Sequence, residues 1–260
     1  MISDVGREYG IVILLDALGT SQRIISDIDK FIEDWDSVLD KLSQNVDILE
    51  RELASRRYRT GIIIKDIFDN IQIFFPTDNP DKGYTDLTGG NSLWWTIQLS
   101  ADLLINIVRY GITKNIYFRG CISMGHIRKY KNGYFSSALI ENAQYNESFE
   151  MIGVIAGETA MRVLNNKSYS SSPRFYHFVK YRIPIKEPTR KRRRRFDRLA
   201  ALNIVRKSDF FENLPDQQII DIIQEKIQRH QNSPAIRKKW ENTQKFIQQV
   251  KNINDENCFL

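Results

Sequence analysis

Hydrophobic positions along the chain change their period several times, and each change marks an element. Residues 10–15 (GIVILL) form an unbroken apolar, β-branched run ending on Asp16, the pattern of a strand buried on both faces. From residue 21 to about 55 the apolar positions recur every three or four residues, from Ile24 and Ile25 through Trp35 and Leu42 to Leu53. This predicts an amphipathic helix with at most one break. Two β-rich runs follow, 58–68 and 70–75, with only Asp69 between them, and they read as a hairpin carrying an aspartate at its tip.

A polar loop over 76–90, rich in Gly, Pro, Asp and Asn, separates this hairpin from a second helical pattern over 92–110. Next come a strand over 115–127, a helix over 138–150, a strand over 152–156, a helix beginning at 158–164 and a last strand over 174–185. The order β-α-β-β-α-β, followed by further α, β, α and β elements, predicts an α+β fold. Its first six elements form a ferredoxin-like split unit, an antiparallel sheet with helices on one face. That unit hosts many functions and decides none of them.

A chain of 260 residues, 42% of them hydrophobic, can bury one good core and carry an appendage. The expected division is a core domain over 1–185, a basic linker or arm over 186–213 and a helical region over 214–260. Cys121 and Cys258 give neither a disulfide framework nor a zinc spacing. No apolar run reaches the roughly 18 residues of a membrane span, and the first ten residues lack the order of a signal peptide. A cytoplasmic protein without membrane contact is expected. The net charge of +6 admits polyanionic ligands, and the unbroken basic run at 190–195 supplies most of it. That run reads as a solvated arm, an electrostatic funnel for a triphosphate or a nucleic-acid contact. The absence of interleaved aromatics favours the arm.

Asp16 and Asp69 each stand where strand gives way to turn, at points that are neighbours in a ferredoxin-like sheet. Mg²⁺ or Mn²⁺ needs hard oxygen ligands of this kind, one or two carboxylates plus a substrate's phosphates. Singly, Asp16 reads as a helix cap and Asp69 as a turn residue. At both places in one unit, the pair favours metal. Arg119, in an apolar strand, needs an anionic partner or a path to solvent. His126, His177 and His230 pair with no nucleophile, and Trp94 and Trp95 read as anchors of the second helix.

The local spacings resemble those of class III nucleotidyl cyclases. That family carries D-I-x-G-F-T where this chain has Asp16-Ala17-Leu18-Gly19-Thr20-Ser21. Its K-x-x-G-D falls on Lys65-Asp66-Ile67-Phe68-Asp69, which lacks the glycine, and its R-x-G-I-H-x-G falls on Arg119-Gly120-Cys121-Ile122-Ser123-Met124-Gly125. The resemblance covers roughly 10–165 and makes residues 1–185 a cyclase-like catalytic domain. It implies that Asp16 and Asp69, with the carbonyl of Ala17, hold two Mn²⁺ or Mg²⁺ ions. The backbone of Leu18, Gly19, Thr20 and Ser21 would cradle phosphates, and Arg119 would hold the triphosphate. Lys65 takes the base-reading position or is a solvent-facing strand lysine.

One stretch departs from the family. Its next helix carries V-N-x-A-x-R, supplying the ribose-binding and transition-state groups across a dimer interface, whereas Ile140-Glu141-Asn142-Ala143-Gln144-Tyr145 keeps only the Ala and the apolar residue. Tyr145, Asn142 or another basic residue takes that role, the register is shifted, or the site has decayed. With Ala138-Leu139-Ile140-Glu141, the chain looks more like the bacterial Pycsar anti-phage pyrimidine cyclases, which make cyclic UMP or cyclic CMP for a separate effector. This resemblance implies a homodimer, with Glu141, Asn142 and Tyr145 of one copy facing the aspartates of the other and Tyr134 or Tyr145 lining a pyrimidine pocket. Two other classes fit the same residues: a catalytically inactive module binding a nucleotide or RNA end, and a polymerase-type palm.

Overall fold

The computed structural model describes residues 7–57, 60–77, 92–130, 133–165, 177–186, 199–206, 208, 210–212 and 214–251. The basic run at 190–195 and Cys258 lie outside them.

The first strand, β1 (Arg7–Leu18), is longer than its apolar run suggests and carries Asp16 two residues inside its end. Gly19, at φ +76°, reverses the chain into α1 (Thr20–Ser26), since the left-handed region costs a residue without a Cβ nothing. The one break in the long helical pattern falls at Asp27, whose carboxylate accepts from the Lys30 amide at 3.0 Å and caps α2 (Ile28–Ser55). The hairpin is β2 (Ile63–Ile67) and β3 (Asn70–Thr77). Then come α3 (Ser92–Thr113), β4 (Tyr117–Tyr130), a short β5 (Gly133–Ser136) that the sequence pattern does not reveal, and α4 (Ser137–Asn146). The order continues with β6 (Gly153–Ala156), α5 (Glu158–Leu164), β7 (Phe178–Lys180), β8 (Ala200–Leu202), α6 (Asp216–Arg229) and α7 (Pro234–Lys251).

The strands form one sheet in the order β2-β3-β1-β4-β6-β8-β7, with β5 paired to β4. Its first four members are antiparallel neighbours in the ferredoxin-like order, and β6 joins β4 in parallel. The fold is therefore α+β around a mixed sheet. One face of β1 (Ile11, Ile13, Leu15, Ala17) packs into the core with Trp35, Val38, Leu42, Ile97 and Leu104 of α2 and α3. On the other face Val12 joins Phe74, Ile127 and Ala138 beneath α4.

Two expectations change. Residues 199–202, assigned to a linker by the sequence, are buried and contain β8; Ala201 pairs with both Ile155 and Val179. Of the last strand expected over 174–185, Phe178–Lys180 form β7 and 181–185 lie beyond it, while 174–176 lie outside the described residues. The C-terminal helices share the main core: Phe246 meets Tyr181 edge-on, Trp240 meets Tyr117, and the Ile152 amide donates to Thr243 Oγ1 at 2.9 Å. Arg109, almost fully buried on α3, donates to the carbonyls of Ile204 and Leu214 and to the Asp216 carboxylate, fastening the approach to α6.

Gly120 shows how closely β4 must approach β1 beside Arg119: a Cβ there would lie 2.5 Å from Leu15 Cδ2 and 2.9 Å from the Leu14 carbonyl oxygen. We expect Gly120→Ala to cost about 1–3 kcal/mol in urea unfolding, as overpacking of a filled core does. Unchanged stability would mean that the two strands are not held this tightly.

Candidate active site

The covering helix α4 tracks β1 as far as its length allows. Asn142 Nδ2 donates to the Val12 carbonyl at 2.8 Å, and Asn146 Nδ2 donates to the Leu14 carbonyl at 3.2 Å. The helix then ends, so the next residue of that strand face, Asp16, is the first one left partly open to solvent. Register fixes its neighbours: Asp16 lies opposite Asn70 on β3 and opposite Arg119 on β4. Because side chains alternate across a sheet, Ile67, Asn70, Asp16 and Arg119 form one row on this face. Lys65, Gln72, Leu14 and Cys121 form the row behind.

Asp69 reaches the same end of the sheet from the hairpin turn. Its carbonyl accepts from the Ala17 amide at 2.8 Å. Its carboxylate accepts from Thr20 Oγ1 at 2.8 Å and from Asn70 Nδ2 at 2.9 Å. Thr20 is buried, so the start of α1 and the hairpin tip are held together by the oxygen that aims Asp69. Phe68 precedes it with φ +58°, in the left-handed region, at the position where the resembled motif has glycine. This side chain is 94% exposed.

Arg119 Nη2 meets Asp16 Oδ2 at 2.6 Å, and the guanidinium lies 6.0 Å from the Phe149 ring centroid. Its Nε and Nη1 are buried without a hydrogen-bond partner among the described residues. Such orphaned donors are costly and point to an anion that would complete the set. Two lysines invisible to motif reading add to this positive edge. The Lys186 pKa is lowered by burial and then by the nearby Arg119 charge. That of Lys239, on α7, is lowered by burial and then by Arg119 and Lys186.

The other expected site residues are distributed as follows. Ala17 is buried, while Leu18, Gly19 and Ser21 lie at the α1 turn with Ser21 exposed. Lys65 is exposed on the same sheet face as Asp16. Tyr134 sits on β5 against Phe74, with ring centroids 4.9 Å apart, on the same face but under α4. Glu141 is tied to α5, accepting from the Thr159 amide and hydroxyl at 3.2 and 2.9 Å. Asn142 is fully buried and Tyr145 is 1% exposed, so neither lines the open surface around Asp16. Their places on α4 are explained by packing onto their own sheet: an asparagine amid apolar residues needs a buried acceptor, and the Val12 carbonyl is that acceptor. His177 is buried and kept neutral, its pKa lowered by burial to about 3, and His126 lies edge-on to Tyr9.

The donor set suits a hard divalent cation, with the two carboxylates at Asp16 and Asp69 beside backbone carbonyl oxygen. Among the described residues no group of three or more His, Cys, Asp or Glu side chains gathers around a potential ion site. Further oxygen ligands would have to come from the backbone, water or substrate phosphates. No helix among the described residues is long and apolar enough to cross a membrane.

No protein-family pattern matches the chain, and no curated protein matches it. Among solved structures it is similar to adenylate cyclases from Trypanosoma brucei in their monomeric state, with 10% identity, covering 81% of this chain and 95% of that one. The TM-score of 0.38 is too low to fix fold or activity.

The Asp16–Arg119 pair can be weighed directly. A double-mutant cycle with Asp16→Asn and Arg119→Met, read by urea unfolding, is expected to give a coupling of about 1–2 kcal/mol, since one partner is still partly solvated. Additive effects would show that the two charges do not sense each other.

Proposed function

We propose that the chain is a nucleotidyl cyclase that converts a nucleoside triphosphate to a 3′,5′-cyclic nucleotide and pyrophosphate. The observation that carries this reading is the convergence of Asp16 and Asp69 at one open end of the sheet, beside an arginine with two donors unpartnered among the described residues. Asp16 and Asp69 would hold Mn²⁺ or Mg²⁺, which supplies Lewis-acid activation of the attacking hydroxyl and charge neutralisation at the leaving phosphates. The 3′-oxygen bonds to the α-phosphorus, the bond from that phosphorus to the β-phosphate bridging oxygen breaks, and the hydroxyl proton passes to solvent.

The chain's own groups divide the remaining work. Thr20 holds the Asp69 carboxylate in place, and Arg119 exchanges its contact with Asp16 for phosphate oxygens. Lys186 and Lys239 add positive charge where pyrophosphate leaves. Lys65, exposed on the same face, would read the base. A pyrimidine base, a role in bacterial anti-phage defence and a separate effector that binds the cyclic product belong to this reading through the resemblance to the Pycsar cyclases. A homodimer is supported by large apolar side chains left in solvent beside the site: Ile67 and Phe68 at the hairpin tip and Ile140 on the outer side of α4. Sedimentation with Mn²⁺ and nucleotide should show a dimer at micromolar concentration; a monomer contradicts a shared site.

One observation favours a second reading, a catalytically inactive nucleotide- or RNA-binding module. Asn142 and Tyr145, the residues of α4 closest to the family's ribose and transition-state groups, are both buried within their own subunit. The basic run at 190–195 would carry the RNA variant.

Incubation with ATP, GTP, CTP and UTP in Mn²⁺, followed by mass spectrometry, separates the readings. We expect a cyclic product, fastest from UTP or CTP, and a loss of at least about 10²-fold in turnover for Asp16→Asn and for Asp69→Asn with circular dichroism unchanged. No cyclic product from any triphosphate refutes the cyclase, and tight triphosphate binding without turnover then supports the module. A preference for ATP or GTP refutes the pyrimidine assignment alone.

A further inference from the structure

A cavity of about 440 Å³ lies between the side of α1, the start of β4 and the two C-terminal helices. That volume suits a small ligand. Its wall contains five lysine or arginine side chains against two carboxylates, those of Asp27 and Asp34. Both carboxylates are already engaged: Asp27 caps α2, and Asp34 takes Arg23 at 2.8 Å and Lys30 at 3.4 Å. The charges left over are Lys226 and Arg229 on the last turns of α6 and Lys239 on α7. Among the described residues, none of these three side chains forms a salt bridge or hydrogen bond.

Lys226 is only 8% exposed, and its ammonium lies 5.9 Å from the Tyr117 ring. The helix dipole offers α6's terminal cations some relief, but only about half an elementary charge shared over the last turn. It gives nothing to Lys239, near the start of the next helix. The strain among these groups is visible in their proton affinities. Burial, and then the Lys226 and Arg229 charges, lower the His230 pKa, and burial heads the causes that lower those of Lys226 and Lys239. Glu225 acts on Lys226, and Glu150 and Asp16 act on Lys239, but only at a distance and with less weight than burial. Three cations without a direct ion-pair partner among the described residues, converging on a partly enclosed space, are stabilised most simply by an anion with several oxygens. The floor of the cavity includes Trp240 and Ile152, which close it to deeper water.

We propose that this cavity is a binding site for a small phosphate-bearing anion, held by Lys226, Arg229 and Lys239 without a metal ion. Leu18 and Gly19 also line it, so it adjoins the loop that follows Asp16; Lys239 is shared with the positive edge beside Arg119, while Lys226 and Arg229 belong to the cavity. The phosphate could belong to the tail of a bound triphosphate or to a separate phosphorylated ligand. The site does not rest on the cyclase reading.

Calorimetric titration of the full chain with inorganic pyrophosphate, in low salt with a chelator present, tests the proposal. Chelation silences any metal-dependent contribution from Asp16 and Asp69. We expect saturable 1:1 binding, weakened at least about tenfold by Arg229→Gln and by Lys226→Met. The distant charge control Lys251→Gln should bind within about twofold of the parent. Arg229 is exposed, so Arg229→Gln keeps the test valid if the Lys226 variant fails to fold. Absence of binding overturns the proposal. So does unchanged affinity in a folded Arg229→Gln or Lys226→Met, or an equal loss in Lys251→Gln. A second titration, of a non-hydrolysable triphosphate with Mn²⁺ into pyrophosphate-saturated protein, identifies the source: displacement assigns the cavity to the triphosphate's tail, and independent binding assigns it to a separate phosphorylated ligand.

Discussion

The candidate site depends on the register of one strand held between two others. β1 pairs along its length with β3 and β4, and that double pairing sets Asp16 opposite Asn70 and Arg119 at once. A slip of one residue would turn Asp16 into the helix-covered core and bring Leu15 out, burying a carboxylate without a partner. The continuous apolar sequence from Ile11 to Leu15 makes both faces of the strand costly to expose, and the close approach at Gly120 allows β4 to lie tight against it. The end of α4 then decides what is uncovered. Its asparagines bind the Val12 and Leu14 carbonyls, and the helix stops one step short of Asp16.

Charge is organised around that opening in two tiers. The first is the Asp16–Arg119 pair, in which the carboxylate satisfies one of the arginine's nitrogens and leaves Nε and Nη1 without partners among the described residues. The second is a belt of lysines and arginines brought by the C-terminal half, with Lys186 after β7, Lys239 on α7, and Lys226 with Arg229 on α6. The helices beyond residue 214 are therefore more than a cover for apolar surface. Their basic side chains converge on the side of the fold where the β1–α1 loop turns. A sheet edge with two carboxylates and a surrounding excess of cations is suited to a ligand that is itself a complex of metal and polyphosphate.

Much of the frame was legible in the sequence because its signals are local. The 3.6-residue period of α2 and α3, the apolar run of β1 and the aspartate between two β-rich runs each specify an element from neighbouring residues alone. The ferredoxin-like order then brings Asp16 and Asp69 together. What the sequence concealed depends on distant partners. Nothing local marks Arg119 as the partner of Asp16, or Lys186 and Lys239 as its neighbours. Residues 199–205 (LAALNIV) did carry a signal, a short apolar run directly after the basic stretch, but the charge run drew that whole region into a linker. Motif position puts Asn142 and Tyr145 at an interface, whereas both are buried within their own subunit, Asn142 bonded to the Val12 carbonyl.

In the proposed reaction Asp16 and Asp69 act on one metal-bound polyphosphate. Anomalous diffraction from crystals grown with Mn²⁺ and a non-hydrolysable nucleoside triphosphate reads this out. Mn²⁺ is expected within roughly 2.0–2.4 Å of carboxylate oxygens from both aspartates, with Arg119 turned from Asp16 onto a phosphate oxygen. Manganese bound elsewhere, or an Asp16–Arg119 pair intact beneath a nucleotide that touches neither, would contradict it.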